Sequence, residues 1–379
     1  MPRLLTRPHF AALAAQSEIT RGVSSVFLTN TYPVHASVVT GVTAAYHGQS
    51  NNTEAFPVRH PQRHYKASGL RVKTLWQAAA EKGLTVAAVL WPITGGAREI
   101  RWNVPELMAQ PGESQVAINL RYGSKLLQIG LILRHRALMK DIGTQPGLDS
   151  FATACMTDIL RRKNPDMALA HLTALDALCH RHGLDAPELE MALDSLDENL
   201  GKLLAAAGER DVILFSDHAQ LNVEHLLFPN RLLETEGLLA KDAEGEYVRA
   251  TAQCFFECSG GSAFFHPHGP ECPNGPDEAQ LLRIRAQTEV LEGFGRFLTF
   301  AEMRDCGRES LPFGFAARPG YACAAYPSEE RGEHGYPTDY ADYQVFYLLR
   351  TADTSPGTKT GGSLLDIAPL AAQLLDLRM

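Results

Sequence analysis

The sequence predicts an α/β protein in which helices cover both faces of a mostly parallel sheet, a three-layer α/β/α sandwich. Along the 379 residues, short apolar runs alternate with longer helical patterns, as expected when crossover helices connect buried strands. Hydrophobic residues make up 45% of the chain, which is typical of a globular protein. We predict one domain over residues 1–379, with insertions at about residues 95–150 and 225–330, where proline, glycine and irregular pattern are more frequent.

Each predicted element is an apolar pattern that begins or ends at a proline, a glycine or a polar loop. Pro187 is placed to open a helix, and Gly83 and Gly208 are placed to close one. A helix followed by a buried strand then occurs twice, which indicates crossover connections. The predicted elements are a helix at Val72–Lys82, a strand at Val86–Leu90, a strand at Met167–Leu172, a helix at Pro187–Gly208, a strand at Val212–Phe215, a strand at Tyr343–Leu349 and a terminal helix at Leu365–Leu377.

Net charge and cysteine content limit the binding partners and the cellular compartment that we predict for the protein. The formal net charge is −8 with scattered basic residues, so we predict no nucleic-acid partner. Seven cysteines at irregular spacings do not form a disulfide framework, and the first residues lack the apolar core of a signal peptide. We therefore predict a cytoplasmic protein with no membrane partner, and the sequence leaves the oligomeric state open.

Candidate metal ligands follow the predicted strands, where ligands collect in open α/β sheets. Asp176 and His180 follow one strand, Asp217 and His218 follow the next, and His334 lies in a polar loop. Taken singly, such residues are more often a helix-surface pair or a loop histidine. Together, two carboxylates and three imidazoles form a ligand set that suits zinc better than a hard cation. We predict two zinc ions, and other divalent metals remain possible.

The candidate nucleophile is Thr31, which lies where a strand-like run ends and Pro33 marks the first turn of a helix through Thr40. Backbone N–H groups at a helix N-terminus favour a phosphate oxygen, and a metal bound to the hydroxyl would lower its pKa. The alternative is that Thr31 is only an N-cap residue.

Two further features have structural explanations as well as functional ones. Residues 125–136 are basic and apolar, which fits either an interfacial membrane helix or an amphipathic helix packed on its own domain. His60, His171 and His182 receive no role. A structural zinc site is a minor alternative for the group Cys254, Cys258, His266, His268 and Cys272.

The segment around Thr31 carries a resemblance to a known family. Thr29-Asn30-Thr31-Tyr32-Pro33-Val34-His35, Val39-Thr40-Gly41 and Tyr46-His47-Gly48 resemble the nucleophile region of the nucleotide pyrophosphatase/phosphodiesterase family of the alkaline phosphatase superfamily. The order and spacing of the candidate metal ligands match that family as well. The resemblance covers nearly the whole chain and implies an alkaline phosphatase-like fold with cap insertions.

The resemblance also implies roles for individual residues. Thr31 would be the nucleophile and would bind one zinc ion together with Asp217 and His218, while Asp176, His180 and His334 would bind the other. Asn52 would help to stabilise the phosphoryl oxygen in the transition state. The implied substrate is a small phosphodiester or a nucleotide, and Tyr32 and Trp91 would line its pocket or pack in the core.

The sequence departs from the family at its first metal ligand. Family members have an N-terminal strand that ends in an aspartate ligand, whereas here residues 1–140 contain no aspartate, and Pro8–Val23 resembles the helix that leads to the nucleophile. Either the sequence starts at an internal methionine, or the protein has lost the strand and the ligand. In the second case the chain would be a catalytically impaired metal-binding scaffold.

Related enzymes supply the remaining alternatives. A phosphomonoesterase of the same superfamily would share most of the metal ligands. A sulfatase would need a cysteine or serine nucleophile before Pro33, where this chain has Thr31-Tyr32.

Overall fold

The architecture was obtained from a computed structural model that describes residues 1–272 and 274–379. The helices are α1 (Pro2–Leu5), α2 (Pro8–Ala15), α3 (Thr31–Thr40), α4 (Ala44–His47), α5 (Leu75–Glu81), α6 (Gln115–Tyr122), α7 (Lys125–Arg134), α8 (Gly147–Lys163), α9 (Ala174–His182), α10 (Glu188–Ala207), α11 (Asn230–Thr235), α12 (Glu278–Glu289), α13 (Phe300–Asp305) and α14 (Ile367–Leu374). The strands are β1 (Glu18–Val23), β2 (Val86–Val89), β3 (Trp102–Val104), β4 (Met167–Ala170), β5 (Val212–Phe215), β6 (Leu221–Leu227), β7 (Phe255–Ser259), β8 (Ser262–His266), β9 (Phe294–Phe297), β10 (Gly314–Ala317), β11 (Gly320–Cys323), β12 (Gly332–Glu333), β13 (Val345–Arg350) and β14 (Gly357–Thr360).

Helices pack on both faces of the main strands, which confirms the predicted α/β class. In β2, Val86 and Ala88 pack against the core cluster that contains residues of α3, α5 and α14. Their neighbours Ala87 and Val89 pack on the opposite face against residues of α7 and α8. This division follows from the alternation of side chains along a strand, and because both faces are covered, the whole strand is apolar.

The main strands form two groups. β2 lies between β3 and β4 with parallel pairing on both sides. The second group has the order β14-β1-β13-β5, in which β1 pairs parallel with β14 and antiparallel with β13. The strands β4 and β5 come from different groups, and each is directly followed by residues of the candidate site.

Separate from both groups of main strands, residues of the predicted insertion at 225–330 form an antiparallel sheet, called the second sheet below. Its order is β7-β8-β10-β9, and all of its pairings are antiparallel. The aromatic side chains of Phe256, Phe265, Phe313 and Phe315 are buried in one cluster on it. This sheet has its own core, and its strand β7 reaches the candidate site through two polar side chains described below.

Most predicted elements are confirmed within a few residues, but the N-terminal segment is not. Pro8–Val23 was expected to be helical throughout, whereas α2 ends at Ala15 and residues Glu18–Val23 form β1. The reason is long-range pairing: Ile19 and Thr20 favour extended backbone, and β13 supplies the hydrogen-bonding partner. The expected strand-like run at Phe27–Thr29 is irregular and buried.

Helix α7 lies on the surface with part of its apolar side uncovered. Leu131 is buried, whereas the exposed fractions of Leu126 and Leu133 are 87% and 68%. Within residues 1–272 and 274–379, the helices are too short or too polar for any of them to cross a bilayer. The absence of a membrane partner stays a prediction.

Candidate metal and phosphate site

Thr31 is the first residue of α3, as the sequence predicted. The N-terminus of α3 is held by Asn52, whose Oδ1 accepts the backbone N–H of Tyr32 at 2.8 Å. That bond uses the amide oxygen of Asn52 and leaves its NH2 group available as a donor near the start of α3. The N-terminus of α3 therefore combines a hydroxyl, backbone N–H groups and an amide donor, which together suit a phosphoryl group.

The predicted metal ligands surround Thr31. Nε2 of His218 lies 3.4 Å from Oγ1 of Thr31 and 3.3 Å from Oδ2 of Asp217. Oδ1 of Asp176 lies 3.9 Å from the same nitrogen and 3.4 Å from Nε2 of His180. All of these residues are brought together with His334, whose ring centroid lies 4.2 Å from that of His218.

The three imidazoles are oriented in the same way. Nδ1 of His334 donates to Oδ1 of Asn30 at 2.9 Å, and Nδ1 of His180 donates to the carbonyl oxygen of Gly332 at 2.8 Å. Nδ1 of His218 donates to the carbonyl oxygen of Ala219 at 3.2 Å. Because Nδ1 of each ring makes this bond, Nε2 is the nitrogen available to a metal ion, which is the arrangement found in metal-binding histidines.

The grouping of the ligands differs from the expected one. Asp176, His218 and His334 each place a ligand atom within 4.8 Å of the others, and His180 forms a separate group with Glu330 and Glu333. His218, which was expected to bind the other ion, thus groups with Asp176 and His334. The expected third ligand of the ion at Asp176 and His334, His180, lies outside this group. Because Asp176 contacts both His180 and His218, the six predicted ligands form one continuous cluster.

Charge in the cluster favours a cation. Burial raises the pKa of the Asp176 carboxyl, but the bond and charge of His180 outweigh burial and hold it well below its usual value. Burial and the neighbouring imidazoles of His218 and His180 lower the pKa of His334 far below its usual value, so its ring is neutral. A buried neutral imidazole beside an ionised carboxylate is the donor chemistry of a zinc site, so the residues fit such an ion.

Four residues to which the sequence assigned no catalytic or metal-binding role lie next to Asp217 or next to one another beside it. His35 and His171 each place a ring nitrogen within 4.8 Å of an Asp217 carboxylate oxygen and of each other. Nδ1 of His171 lies 3.3 Å from Oε2 of Glu106, and Glu106 also pairs with Arg63 at 3.3 Å. The position of His171 directly after β4 was a usable signal, whereas Glu106 and Arg63 lie in irregular segments with no motif.

The structure bears on two alternatives that the sequence left open. Tyr32 and Trp91 are almost fully buried, with exposed fractions of 0% and 3%, which favours core packing over a position on the pocket surface. In the described part of the chain, no three members of the group Cys254, Cys258, His266, His268 and Cys272 come within reach of one ion. His266 instead pairs with Glu257 at 2.9 Å.

Comparison with known proteins identifies the family. A model of the type I phosphodiesterase/nucleotide pyrophosphatase family matches residues 2–262, well over half of the chain. The chain belongs to this family of hydrolases. The resemblance predicted from the residues around Thr31 is confirmed, and the match includes Thr31, Asn52, Asp176, His180, Asp217 and His218 by position.

Relatives of the phosphodiesterase family agree with this assignment. Human ectonucleotide pyrophosphatase/phosphodiesterase family member 5 is 22% identical over 249 residues, which are 62% of this chain and 44% of that protein. The chain thus spans less than half the length of that curated relative.

Solved structures of the mouse and human member 5 proteins share the fold. Each is 18% identical, with TM-scores of 0.68 and 0.69, and the alignments cover 98% of this chain and 90% of theirs. An inactive variant of the mouse protein has been solved in complex with AMP, and it aligns with a TM-score of 0.68 at 17% identity over 99% of this chain and 91% of its own. The alkaline phosphatase-like fold is thereby confirmed.

Proposed function

We propose that this phosphodiesterase-family chain is a metal-dependent hydrolase that cleaves phosphodiester or pyrophosphate bonds with Thr31 as its nucleophile. The observation that carries the proposal is the position of the Thr31 hydroxyl. It sits at the N-terminus of α3, 3.4 Å from Nε2 of His218 and at the edge of the carboxylate and imidazole cluster.

Two zinc ions are part of the proposal. The family assignment implies that Asp176, His180 and His334 bind one ion, and that Thr31, Asp217 and His218 bind the other. When bound, such ions stabilise negative charge on the hydroxyl and on the phosphoryl oxygens. The convergence of three imidazole Nε2 atoms and two carboxylates supports these roles.

The chain's own residues then position the phosphoryl group. The Thr31 hydroxyl releases its proton to solvent, and its Oγ1 forms a bond to phosphorus in line with the leaving group. The bond to the leaving oxygen breaks, and that oxygen takes a proton from solvent. Asn52 donates its NH2 group to a phosphoryl oxygen, since its Oδ1 is occupied by the N–H of Tyr32. Water then cleaves the phosphothreonine ester and restores the Thr31 hydroxyl.

A nucleotide is the proposed substrate. The related mouse protein has been solved with AMP, and Arg63, which pairs with Glu106 at 3.3 Å, adds a positive side chain that suits an anionic substrate. The cytoplasmic location is likewise proposed, on the ground that all seven cysteines are free thiols.

The test is hydrolysis of bis-nitrophenyl phosphate and of a nitrophenyl ester of a nucleoside 5′-phosphate, with added zinc. Thr31→Ala should reduce the rate by at least about a hundredfold because it removes the nucleophile, and Thr31→Ser should retain part of it. Thr251→Ala, at an exposed position, is the matched control and should leave the rate unchanged.

The alternatives give different results in the same assay. Faster cleavage of nitrophenyl phosphate than of both diesters would indicate a phosphomonoesterase. Zinc binding without hydrolysis of any ester would indicate a catalytically impaired scaffold. An undiminished rate in Thr31→Ala would exclude Thr31 as the nucleophile.

A further inference from the structure

We propose that His35 and His171 bind a metal ion together with Asp217. The proposal deepens the proposed function and rests on it, because Asp217 belongs to the cluster around Thr31. It assigns metal-binding roles to His35, which ends the motif around Thr31 but received no role there, and to His171, which lies outside the motifs.

The geometry brings the three groups together from separate parts of the fold. His35 lies in α3 one turn beyond Thr31, His171 directly follows β4, and Asp217 follows β5. One ligand atom from each lies within 4.8 Å of the other two. The edges of a tetrahedral zinc site are shorter than this, at roughly 3.5 Å, so small side-chain rotations complete the coordination.

The two imidazoles are buried next to each other and next to Asp217. His35 is 1% exposed, and its ring centroid lies only 4.5 Å from that of His171. Nδ1 of His35 lies 3.7 Å from Oδ2 of Asp217 and donates to the carbonyl oxygen of Thr31 at 2.8 Å. A cation bound by this nitrogen would replace that hydrogen bond and would be shared with the carboxylate.

Glu106 supplies the second carboxylate that such a site requires. Its Oε2 lies 3.3 Å from Nδ1 of His171, so this nitrogen donates to Glu106 and Nε2 is the nitrogen left for a metal ion. Carboxylates that orient a metal-binding histidine in this way commonly strengthen metal affinity 10- to 100-fold. Arg63 and Tyr32 hold Glu106 from its other side, each at 3.3 Å.

Zinc content per chain tests the proposal without measuring hydrolysis. The zinc-loaded wild type, dialysed against metal-free buffer, should retain two equivalents by mass spectrometry of the metal. His171→Ala should retain one, and His171→Asp, which restores a ligand, should retain two. His60→Ala removes an exposed histidine and should change nothing.

Anomalous diffraction at the zinc edge of wild-type crystals gives an independent answer that needs no variant to fold. A peak within about 2.5 Å of a His171 nitrogen would support the proposal, since zinc–nitrogen bonds are about 2.0–2.1 Å. Peaks only at Asp176 and His334, or two equivalents retained by His171→Ala, would overturn it.

Hydrolysis assays on the same preparations separate the two proposals. A zinc ion at His171 in a chain that hydrolyses no ester would refute the proposed function and leave the metal site intact. Hydrolysis with a single zinc ion at Asp176 would refute only the site at His171.

Discussion

Asn30 connects the metal cluster to the second sheet through one amide group. Its Oδ1 accepts Nδ1–H of His334 at 2.9 Å, and its Nδ2 donates to Oδ1 of Asn51 at 2.8 Å. Asn51 in turn donates to Oε1 of Glu257 at 2.6 Å and to Oγ of Ser259 at 2.8 Å, both in β7. The orientation of one predicted ligand is therefore set by a chain of buried polar groups.

We predict that Asn30→Ala weakens zinc binding about 10- to 100-fold, because His334 loses the acceptor that orients its ring. The measurement is competition with a zinc-binding dye. Asn30→Asp keeps the acceptor and should bind zinc more tightly than Asn30→Ala. Equal affinity in Asn30→Ala and wild type would show that this bond does not position His334.

At the scale of elements, helix α9 is held in place by a side chain from another helix. Asp149, in α8, accepts the backbone N–H of Thr173 at 2.8 Å and that of Ala174 at 2.9 Å. These two groups lie at the N-terminus of α9, which carries Asp176 and His180. A buried carboxylate thus satisfies donors that the helix itself leaves unpaired.

We predict that Asp149→Ala lowers the free energy of unfolding by about 2 kcal/mol, the upper range for loss of a helix cap. Urea denaturation in the presence of a chelator measures this without a contribution from metal. Asp353→Ala, at an exposed position, should stay within about 0.5 kcal/mol of wild type. A loss no larger than that of the control would contradict the capping role.

The sequence correctly predicted the helices and strands whose formation depends on residues within the same segment. Val212–Phe215 is a strand with the expected bounds, and α3 begins at Thr31 as its motif indicated. The strand at Glu18–Val23 was mistaken for helix because its pairing partner lies more than 300 residues away. Periodicity within a segment carries no information about such a partner.

The candidate site was predictable to a similar extent. Residues with a motif or a position after a strand, such as Thr31 and Asp176, were found and lie together. Glu106 and Arg63 were missed because their roles depend on contacts with His171 and Tyr32, which only the folded chain creates.

At the scale of the whole molecule, a buried ion pair stabilises the second sheet beside the site. Nε of Arg308 donates to Oε2 of Glu257 at 3.0 Å, and the exposed fractions of the two residues are 6% and 2%. Burial raises the pKa of Glu257, but the charge of Arg308 and the bond from His266 outweigh it and hold the pKa well below its usual range.

This shift gives a pH dependence of defined sign. Because the carboxyl binds its proton less tightly in the folded state, Glu257 contributes stability above about pH 4.3, its usual value when unfolded. That contribution is lost as the pH falls towards the lower folded value. Glu257→Gln should therefore cost about 3–5 kcal/mol at pH 7 and progressively less below pH 4.

Urea denaturation over a pH series with a chelator present tests this expectation. Glu329→Gln, at an exposed position, is the control and should follow the wild type at every pH. A cost for Glu257→Gln that does not change with pH would show that the ion pair is not the source of the stability.

The central claim is that Thr31 attacks phosphorus and forms a covalent intermediate, and the stereochemistry at phosphorus tests it most directly. The substrate is a nitrophenyl ester of a nucleoside 5′-phosphorothioate of defined configuration, hydrolysed in water labelled with oxygen-18. Attack by Thr31 followed by attack of water inverts the configuration twice, so the account predicts overall retention. Overall inversion would contradict it, because that result requires direct attack of water on the substrate.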